Sequence, residues 1–137
     1  MRQIVIASHH LFAYGLKDTM SFLTGKNESI QDVSAYMDEE DNLDEVLENI
    51  FSKFTKDDEI VMLTDLVGGS VNQKLCRYMS DNHHLIGGVN VPLAFALMLL
   101  PDEQKLTEDL IQDTIKQAQE QIIYVNSHEI VDDEDDE

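Results

Sequence analysis

The residue best suited to chemistry in this sequence is His9, which directly follows an apolar, β-branched run at residues 3–8. An imidazole has an unperturbed pKa of about 6.5, so near neutral pH one ring nitrogen is a free nucleophile. A carrier that accepts and releases a phosphoryl group needs such a nucleophile. The other ring nitrogen should be held by an acceptor, so that the reacting nitrogen keeps its lone pair. We therefore interpret His9 as a candidate phosphoryl carrier.

A suitable acceptor is Asp65, which follows a second apolar run at residues 59–64. In parallel sheets, ligands bind beyond the carboxyl ends of the strands, where the strand order reverses. If these two runs are neighbouring strands at that point, His9 and Asp65 face the same crevice. A carboxylate there can orient a histidine ring, as in known nucleophilic sets. The placement predicts His9 and Asp65 as the catalytic pair.

A loop of small residues, Gly68-Gly69-Ser70, comes shortly after Asp65. Two glycines let backbone N–H groups approach an anion closely, and Ser70 is a good N-cap for a helix whose amino end attracts negative charge. The Ser70 hydroxyl can also donate to a phosphoryl oxygen. We therefore predict that Gly68, Gly69 and Ser70 bind the phosphoryl group. The loop lacks the Gly-Lys-Ser/Thr of a P-loop, which argues against a nucleoside triphosphatase.

The remaining histidines are weaker candidates. They are His10, which adjoins His9, the neighbouring pair His83 and His84, and the single residue His128. Adjacent residues of a strand point to opposite faces, so neither pair suggests a shared site. A cysteine cluster and a His-x-x-x-His spacing are both missing from the sequence, so we predict no metal site. The chemistry assigned to His9 needs no cofactor.

Alternating strands and helices are predicted to position these residues. Short apolar runs predict four strands, at residues 3–8, 30–37, 59–64 and 84–89. Helical spacing predicts helices at residues 11–24, 43–54, 70–79, 92–100 and 106–121. The alternation is typical of an α/β fold, a doubly wound open sheet of four parallel strands in the order 2-1-3-4 with helices on both faces. An apolar segment at residues 122–125 predicts one further strand.

Composition limits the possible partners. The chain has 28 Asp and Glu against 9 Lys and Arg, a formal net charge of -19, which disfavours nucleic acid and anionic membranes and fits a basic docking partner. Cys76 is the lone cysteine, so no disulfide can form within the chain. The apolar run at residues 4–7 is too short for a transmembrane helix and does not resemble a signal peptide. We expect a cytoplasmic domain at residues 1–128, without direct membrane insertion, and an acidic disordered tail at residues 129–137.

Three motifs in order resemble those of the mannose-type IIA components of the bacterial phosphoenolpyruvate-dependent sugar phosphotransferase system. Residues 4–9 resemble that family's strand and Ser/Thr-His-Gly motif, and residues 63–70 resemble its Asp-x-x-Gly-Gly-Ser/Thr loop. Residues 88–92 are similar to its Gly-x-Asn-x-Pro segment. The resemblance spans about residues 3–125, and the three motifs together are far more specific than any one of them.

The resemblance implies a phosphotransferase that works through a phosphohistidine. His9 would accept a phosphoryl group from the phosphocarrier protein HPr and pass it to a IIB component during sugar uptake. Asp65 would orient the ring, and the glycine loop at residues 68–70 would contact the phosphoryl group. The family also implies a homodimer, in which residues 122–125 would cross to the partner subunit's sheet.

Two positions depart from the family pattern. His10 stands where the family usually has Gly, which leaves open which of the two neighbouring rings reacts; the motif register favours His9. Val71 stands where the family usually has Pro, which should alter the rigidity of the loop more than its chemistry.

Three other functions compete with this interpretation. The phosphotransferase subunit of dihydroxyacetone kinase shares the fold, but its loop usually has a shorter Gly-Ser form. A regulatory module could sense phosphorylation without passing the group on, and transfer to a IIB partner would distinguish it. A receiver domain needs acidic residues after strand 1, where this chain has Ser8-His9-His10.

Overall fold

Four parallel strands form the centre of the protein, whose computed structural model describes residues 1–38 and 42–128. The strands are β1 (Arg2–His9), β2 (Ile30–Ala35), β3 (Glu59–Thr64) and β4 (His83–Gly87). They are ordered β2-β1-β3-β4, and each neighbouring pair is parallel. The predicted α/β fold and strand order are confirmed, and the reversal of strand order lies between β1 and β3.

Five α-helices cover both faces of this sheet in the described part of the chain. They are α1 (Phe12–Thr24), α2 (Leu43–Phe51), α3 (Ser70–Leu75), α4 (Val91–Leu99) and α5 (Glu108–Gln119). Alternate residues of β1 enter the two cores: Ile4 and Ile6 pack with α1, α4 and α5, whereas Val5 and Ala7 pack with α2 and α3. A strand buried on both faces needs the continuous apolar run from which β1 was predicted.

Left-handed residues end two of the strands earlier than predicted. β2 stops at Ala35 because Tyr36 has φ +62°, and β4 stops at Gly87, immediately before Gly88 with φ +77°. The helices α2, α3 and α5 are also shorter than the predicted ranges, with α3 followed by a 3₁₀ turn at Cys76–Tyr78. Terminal turns are the part of an element that sequence periodicity defines least well.

The segment at residues 122–125 does not form the predicted strand within this single chain. Residues 122–124 have no regular secondary structure, and Val125–Ser127 forms a 3₁₀ turn. The acidic tail predicted at residues 129–137 lies outside the described residues.

The Gly-x-Asn-x-Pro segment has a structural role at the start of α4. Gly88 turns the chain out of β4 in the left-handed conformation that glycine tolerates best. The Asn90 side chain accepts the backbone N–H of Leu93 at 2.8 Å and so caps the helix. Pro92 occupies the first turn, where its missing N–H costs no hydrogen bond. These contacts explain the motif through folding alone.

Candidate active site

The structure brings His9 and Asp65 into direct contact. His9 is the last residue of β1, and Asp65 follows the neighbouring strand β3. The imidazole Nδ1 lies 2.9 Å from Oδ2 of Asp65, and the same oxygen accepts the backbone N–H of His9 at 3.0 Å. The other carboxylate oxygen, Oδ1, accepts the N–H of Leu66 at 3.1 Å. Three hydrogen bonds therefore fix the carboxylate against the ring.

These contacts keep the Asp65 carboxylate ionised. Desolvation by partial burial, the largest single influence, raises the pKa of Asp65, but hydrogen bonds from the His9 backbone and ring and attraction to that ring outweigh it. The pKa of Asp65 consequently lies below its ordinary value. An ionised carboxylate only accepts hydrogen bonds, so the hydrogen in this contact belongs to Nδ1 of His9. In the neutral form of the ring, the second nitrogen, Nε2, is then the one that carries the lone pair.

The His9 ring is only partly buried. The His9 side chain is 34% exposed, against 16% for the Asp65 side chain. Among the residues that the structure describes, Nε2 of His9 forms no hydrogen bond. The pair thus presents an oriented imidazole to a crevice at the carboxyl edge of the sheet.

The glycine loop lies against this ring. Gly68 adopts φ +75°, and a Cβ placed on Gly69 would lie 3.4 Å from Cε1 of His9. The prediction that Ser70 caps α3 is wrong, because Gly69 is the N-cap and Ser70 is the first helical residue. Its hydroxyl is thereby free of the helix end and bonds to another side chain, that of Tyr36.

Contacts behind the loop hold it in place. The Thr64 hydroxyl, at the end of β3, donates to Oδ1 of Asn72 in α3 at 2.8 Å. The end of β4 passes so close to the loop that a Cβ on Gly87 would lie 2.6 Å from Cγ2 of Val67. The loop is therefore tied to both β3 and β4, and its distance from His9 is fixed by packing.

Tyr36 is a residue of the site that the sequence did not single out. Its ring stacks on His9 with 5.4 Å between ring centroids and 29° between the planes. Its hydroxyl oxygen lies 2.5 Å from Oγ of Ser70. The sequence pattern places Tyr36 inside the predicted strand at residues 30–37 and does not mark it as a site residue. Its position at the end of β2 could have identified it, because β2 neighbours β1 and both strands end at the same edge of the sheet.

The other histidines lie apart from this contact. His10 is exposed and has φ +52°, and its backbone N–H donates to the carbonyl of Ala35 at 2.8 Å. His83 and His84 begin β4, at the opposite edge of the sheet. Burial, the largest influence, lowers the pKa of His84, the neighbouring His83 and Arg2 lower it further, and Glu59 opposes them.

The described residues also bear on metal binding and on membrane insertion. They contain no group of three or more His, Cys, Asp or Glu side chains arranged to hold a metal ion. Within the same residues, none of the helices has the length and apolarity needed to cross a membrane.

The family comparison covers the part of the chain that contains all three motifs. A model of the family described as the PTS system fructose IIA component, EIIA-man, matches residues 3–115, most of the chain. The chain belongs to this fructose/mannose-type IIA family. Membership gives this IIA protein a phosphotransfer role in sugar uptake.

Solved structures of IIA proteins share the fold. A protein from Klebsiella pneumoniae, described as a candidate permease of a phosphoenolpyruvate-dependent sugar phosphotransferase system, is 35% identical with a TM-score of 0.83, covering 92% of each chain. A PTS IIA protein associated with the fucose utilization operon of Streptococcus pneumoniae is 25% identical with a TM-score of 0.75, covering 91% of this chain and 93% of its own. The mannose/sorbose-specific IIA subunit of Enterococcus faecalis also shares the fold, with a TM-score of 0.77. It is 19% identical, and the match covers 95% of this chain and 98% of that subunit.

The structure gives a physical account of the two departures from the IIA motif. His10, in the position of the usual Gly, has the positive φ that glycine adopts most readily. Val71, in the position of the usual Pro, is the second residue of α3 and is fully buried. Proline is well tolerated in the first turn of a helix, so either residue fits the backbone there.

Proposed function

We propose that this IIA protein carries a phosphoryl group on Nε2 of His9, accepting it from HPr and passing it to a IIB component. The observation that carries the proposal is the 2.9 Å contact between Nδ1 of His9 and Oδ2 of the ionised Asp65. In a neutral ring this contact favours the hydrogen on Nδ1 and leaves the Nε2 lone pair available, which a phosphoryl acceptor requires.

The transfer step needs no proton movement at His9. The Nε2 lone pair attacks phosphorus, the new N–P bond forms, and the bond from phosphorus to the donor breaks with its electron pair returning to the donor. The ring gains positive charge as the bond forms, and the Asp65 carboxylate balances that charge through Nδ1–H. Passing the group to a IIB histidine reverses these roles and leaves His9 in its starting tautomer.

The phosphoryl oxygens are proposed to lie against the glycine loop. Gly69 packs on the ring edge without a side chain to fill the space, and the first amides of a helix have no partner within it. Gly68 and Gly69 would supply backbone N–H groups, and Ser70 would supply a hydroxyl. This arrangement is the ordinary way in which proteins bind phosphate without a metal or cofactor.

The surroundings of the crevice suit protein partners. Leu11, Leu66 and Val67 beside the site are exposed, and the net charge of -19 favours encounter with a basic face. We propose HPr and the IIB component as these partners and the cytoplasm as their meeting place, with neither nucleic acid nor direct membrane insertion involved.

Incubation with the general phosphotransferase proteins and phosphoenolpyruvate tests this function. We expect one phosphoryl group per chain, labile to acid as a phosphohistidine is, and located on His9 by peptide mapping. Addition of a IIB component should then remove it. Retention of the group would favour a regulatory module, and stable phosphorylation elsewhere would contradict the proposal.

We also propose that the protein is a homodimer that exchanges residues 122–125. These residues are apolar yet exposed in the single chain, at 76%, 42%, 72% and 58% for Ile122, Ile123, Tyr124 and Val125. In the described sheet β4 is a terminal strand, so one side of it is an edge available for pairing. A strand from the partner subunit would cover that edge and bury these side chains.

Truncation distinguishes the exchanged segment from the acidic tail. Removing residues 122–137 should yield a monomer or an aggregate, because it leaves the β4 edge uncovered. Removing only residues 132–137 should leave the dimer intact. Sedimentation at micromolar concentration measures both, and a monomeric full-length protein would rule out the exchange.

A further inference from the structure

One aromatic side chain links the proposed nucleophile, His9, to Ser70, the proposed hydrogen-bond donor to the phosphoryl group. The Tyr36 ring lies on the His9 ring with 5.4 Å between centroids, and its hydroxyl lies 2.5 Å from Oγ of Ser70. Tyr36 therefore contacts both sides of the crevice, one with its face and the other with its oxygen. Tyr36 as a whole residue is 43% exposed, so core packing does not explain its position.

The backbone that presents Tyr36 is held in an unfavourable conformation. Tyr36 has φ +62° and His10 has φ +52°, in the left-handed region that residues other than glycine seldom occupy. The two residues follow the ends of the neighbouring strands β2 and β1, and the N–H of His10 donates to the carbonyl of Ala35 at 2.8 Å. Conformations of this kind concentrate at functional sites, where the surrounding structure enforces them.

The direction of the hydrogen bond between the two hydroxyls determines where the hydrogen of Ser70 points. Either hydroxyl can donate in this contact, and we take the phenol of Tyr36, which is the stronger donor, as donating to Oγ of Ser70. The hydrogen of Ser70 is then directed elsewhere, and the bond it makes is strengthened by the one its oxygen accepts. Without Tyr36, the Ser70 hydroxyl could rotate and would lose this polarisation.

We propose that Tyr36 is a positioning residue for phosphoryl transfer: its hydroxyl aims the Ser70 O–H at the phosphoryl group, and its ring restricts rotation of His9. This inference rests on the proposed function, and it assigns Tyr36 an action through Ser70 and His9, without bonding to phosphorus itself. It predicts that the hydroxyl matters only while Ser70 is present.

A double-mutant cycle tests the inference in the full-length chain. Tyr36→Phe removes the hydroxyl and keeps the stacked ring, Ser70→Ala removes the group it aims, and the double variant removes both. Tyr14→Phe is the matched control, because Tyr14 is exposed on α1 and its hydroxyl takes no part in the described site. Transfer from phosphorylated HPr is followed by rapid quench, which separates kcat from KM.

We expect Tyr36→Phe to lower kcat about tenfold with KM for phosphorylated HPr unchanged, and Ser70→Ala to lower it about a hundredfold. The double variant should match Ser70→Ala, and Tyr14→Phe should match the wild type. Additive losses in the double variant, a change confined to KM, or an unchanged Tyr36→Phe would each overturn the assignment. Phosphorylation of His9 in the wild type is measured in the same series. Its absence would contradict the proposed function itself, whereas the variants test only the role of Tyr36.

The contribution of the ring is measured by a fourth variant. Tyr36→Leu keeps an apolar side chain but loses the stack, so its kcat should fall below that of Tyr36→Phe. Nitrogen-15 chemical shifts of His9 report its tautomer and should be the same in Tyr36→Phe and the wild type, since Asp65 sets the tautomer. A Tyr36→Leu variant as fast as Tyr36→Phe would show that the ring does not position His9.

Discussion

Replacing His9 by alanine is expected to abolish phosphorylation, whereas replacing His10 leaves most of it. The physical reason lies in the different surroundings of the two rings. His9 contacts Asp65 through Nδ1 and stacks on Tyr36, while His10 is exposed and turns away from the strand at φ +52°. Without the His9 imidazole, the crevice loses its proposed nucleophile. Incorporation of labelled phosphate from phosphoenolpyruvate measures both variants.

A third variant, His10→Gly, provides a matched control for backbone effects. Glycine adopts the left-handed conformation without the penalty of about 1 kcal/mol that other residues incur, so the variant should fold at least as stably as the wild type. It should also be phosphorylated at the wild-type rate. An inactive His10→Ala beside an active His9→Ala would show that the reacting ring has been misassigned.

The parts of the site that could be predicted from the sequence are those set by strand ends. His9 and Asp65 each follow a buried apolar run, and parallel strands bring their carboxyl ends to one edge. Such runs are local signals, because a strand buried on both faces must be apolar along its length. The contact between the two side chains follows once these strands are neighbours.

The parts that could not be predicted depend on tertiary contacts. The alternation of residues 30–37 continues through Tyr36, and nothing in that local pattern shows that its backbone turns left-handed there. Ser70 has the chemistry of an N-cap, yet its hydroxyl bonds to Tyr36, 34 residues earlier in the chain, and Gly69 takes the cap position. In the described part of the chain, residues 122–124 have no regular secondary structure, so an apolar pattern alone does not make that segment a strand.

The second large effect is expected from Asp65→Asn, which should fold but transfer phosphate about 10²- to 10⁴-fold more slowly, by analogy with the orienting aspartate of protease triads. An amide can present its NH₂ group to Nδ1 of His9 and so stabilise the tautomer with hydrogen on Nε2. The reacting nitrogen then lacks its lone pair. The amide is also neutral, so it cannot balance the charge that develops on the ring.

Stability should change with pH in a direction that identifies the same contact. The pKa of Asp65 is lowered in the folded protein, so the ionised carboxylate stabilises the fold above its ordinary pKa range and loses that contribution as pH falls through the lowered value. The Asp65→Asn variant lacks this stabilising contribution of the carboxylate at every pH. The difference in free energy of unfolding between wild type and variant should therefore be largest near neutral pH and shrink in acid.

Asp32→Asn serves as the matched control for the Asp65 experiment. Asp32 lies on β2, the other neighbour of β1, and its carboxylate pairs with Lys17 at 3.5 Å, away from His9. This variant loses one negative charge from the same sheet but keeps the orienting carboxylate, so its transfer rate should stay near that of the wild type. Rapid-quench kinetics measure the rates, and nitrogen-15 shifts of His9 report the tautomer in each variant. If Asp65→Asn transfers phosphate as fast as Asp32→Asn with the His9 tautomer unchanged, Asp65 does not orient the ring and its contact with Nδ1 serves folding alone.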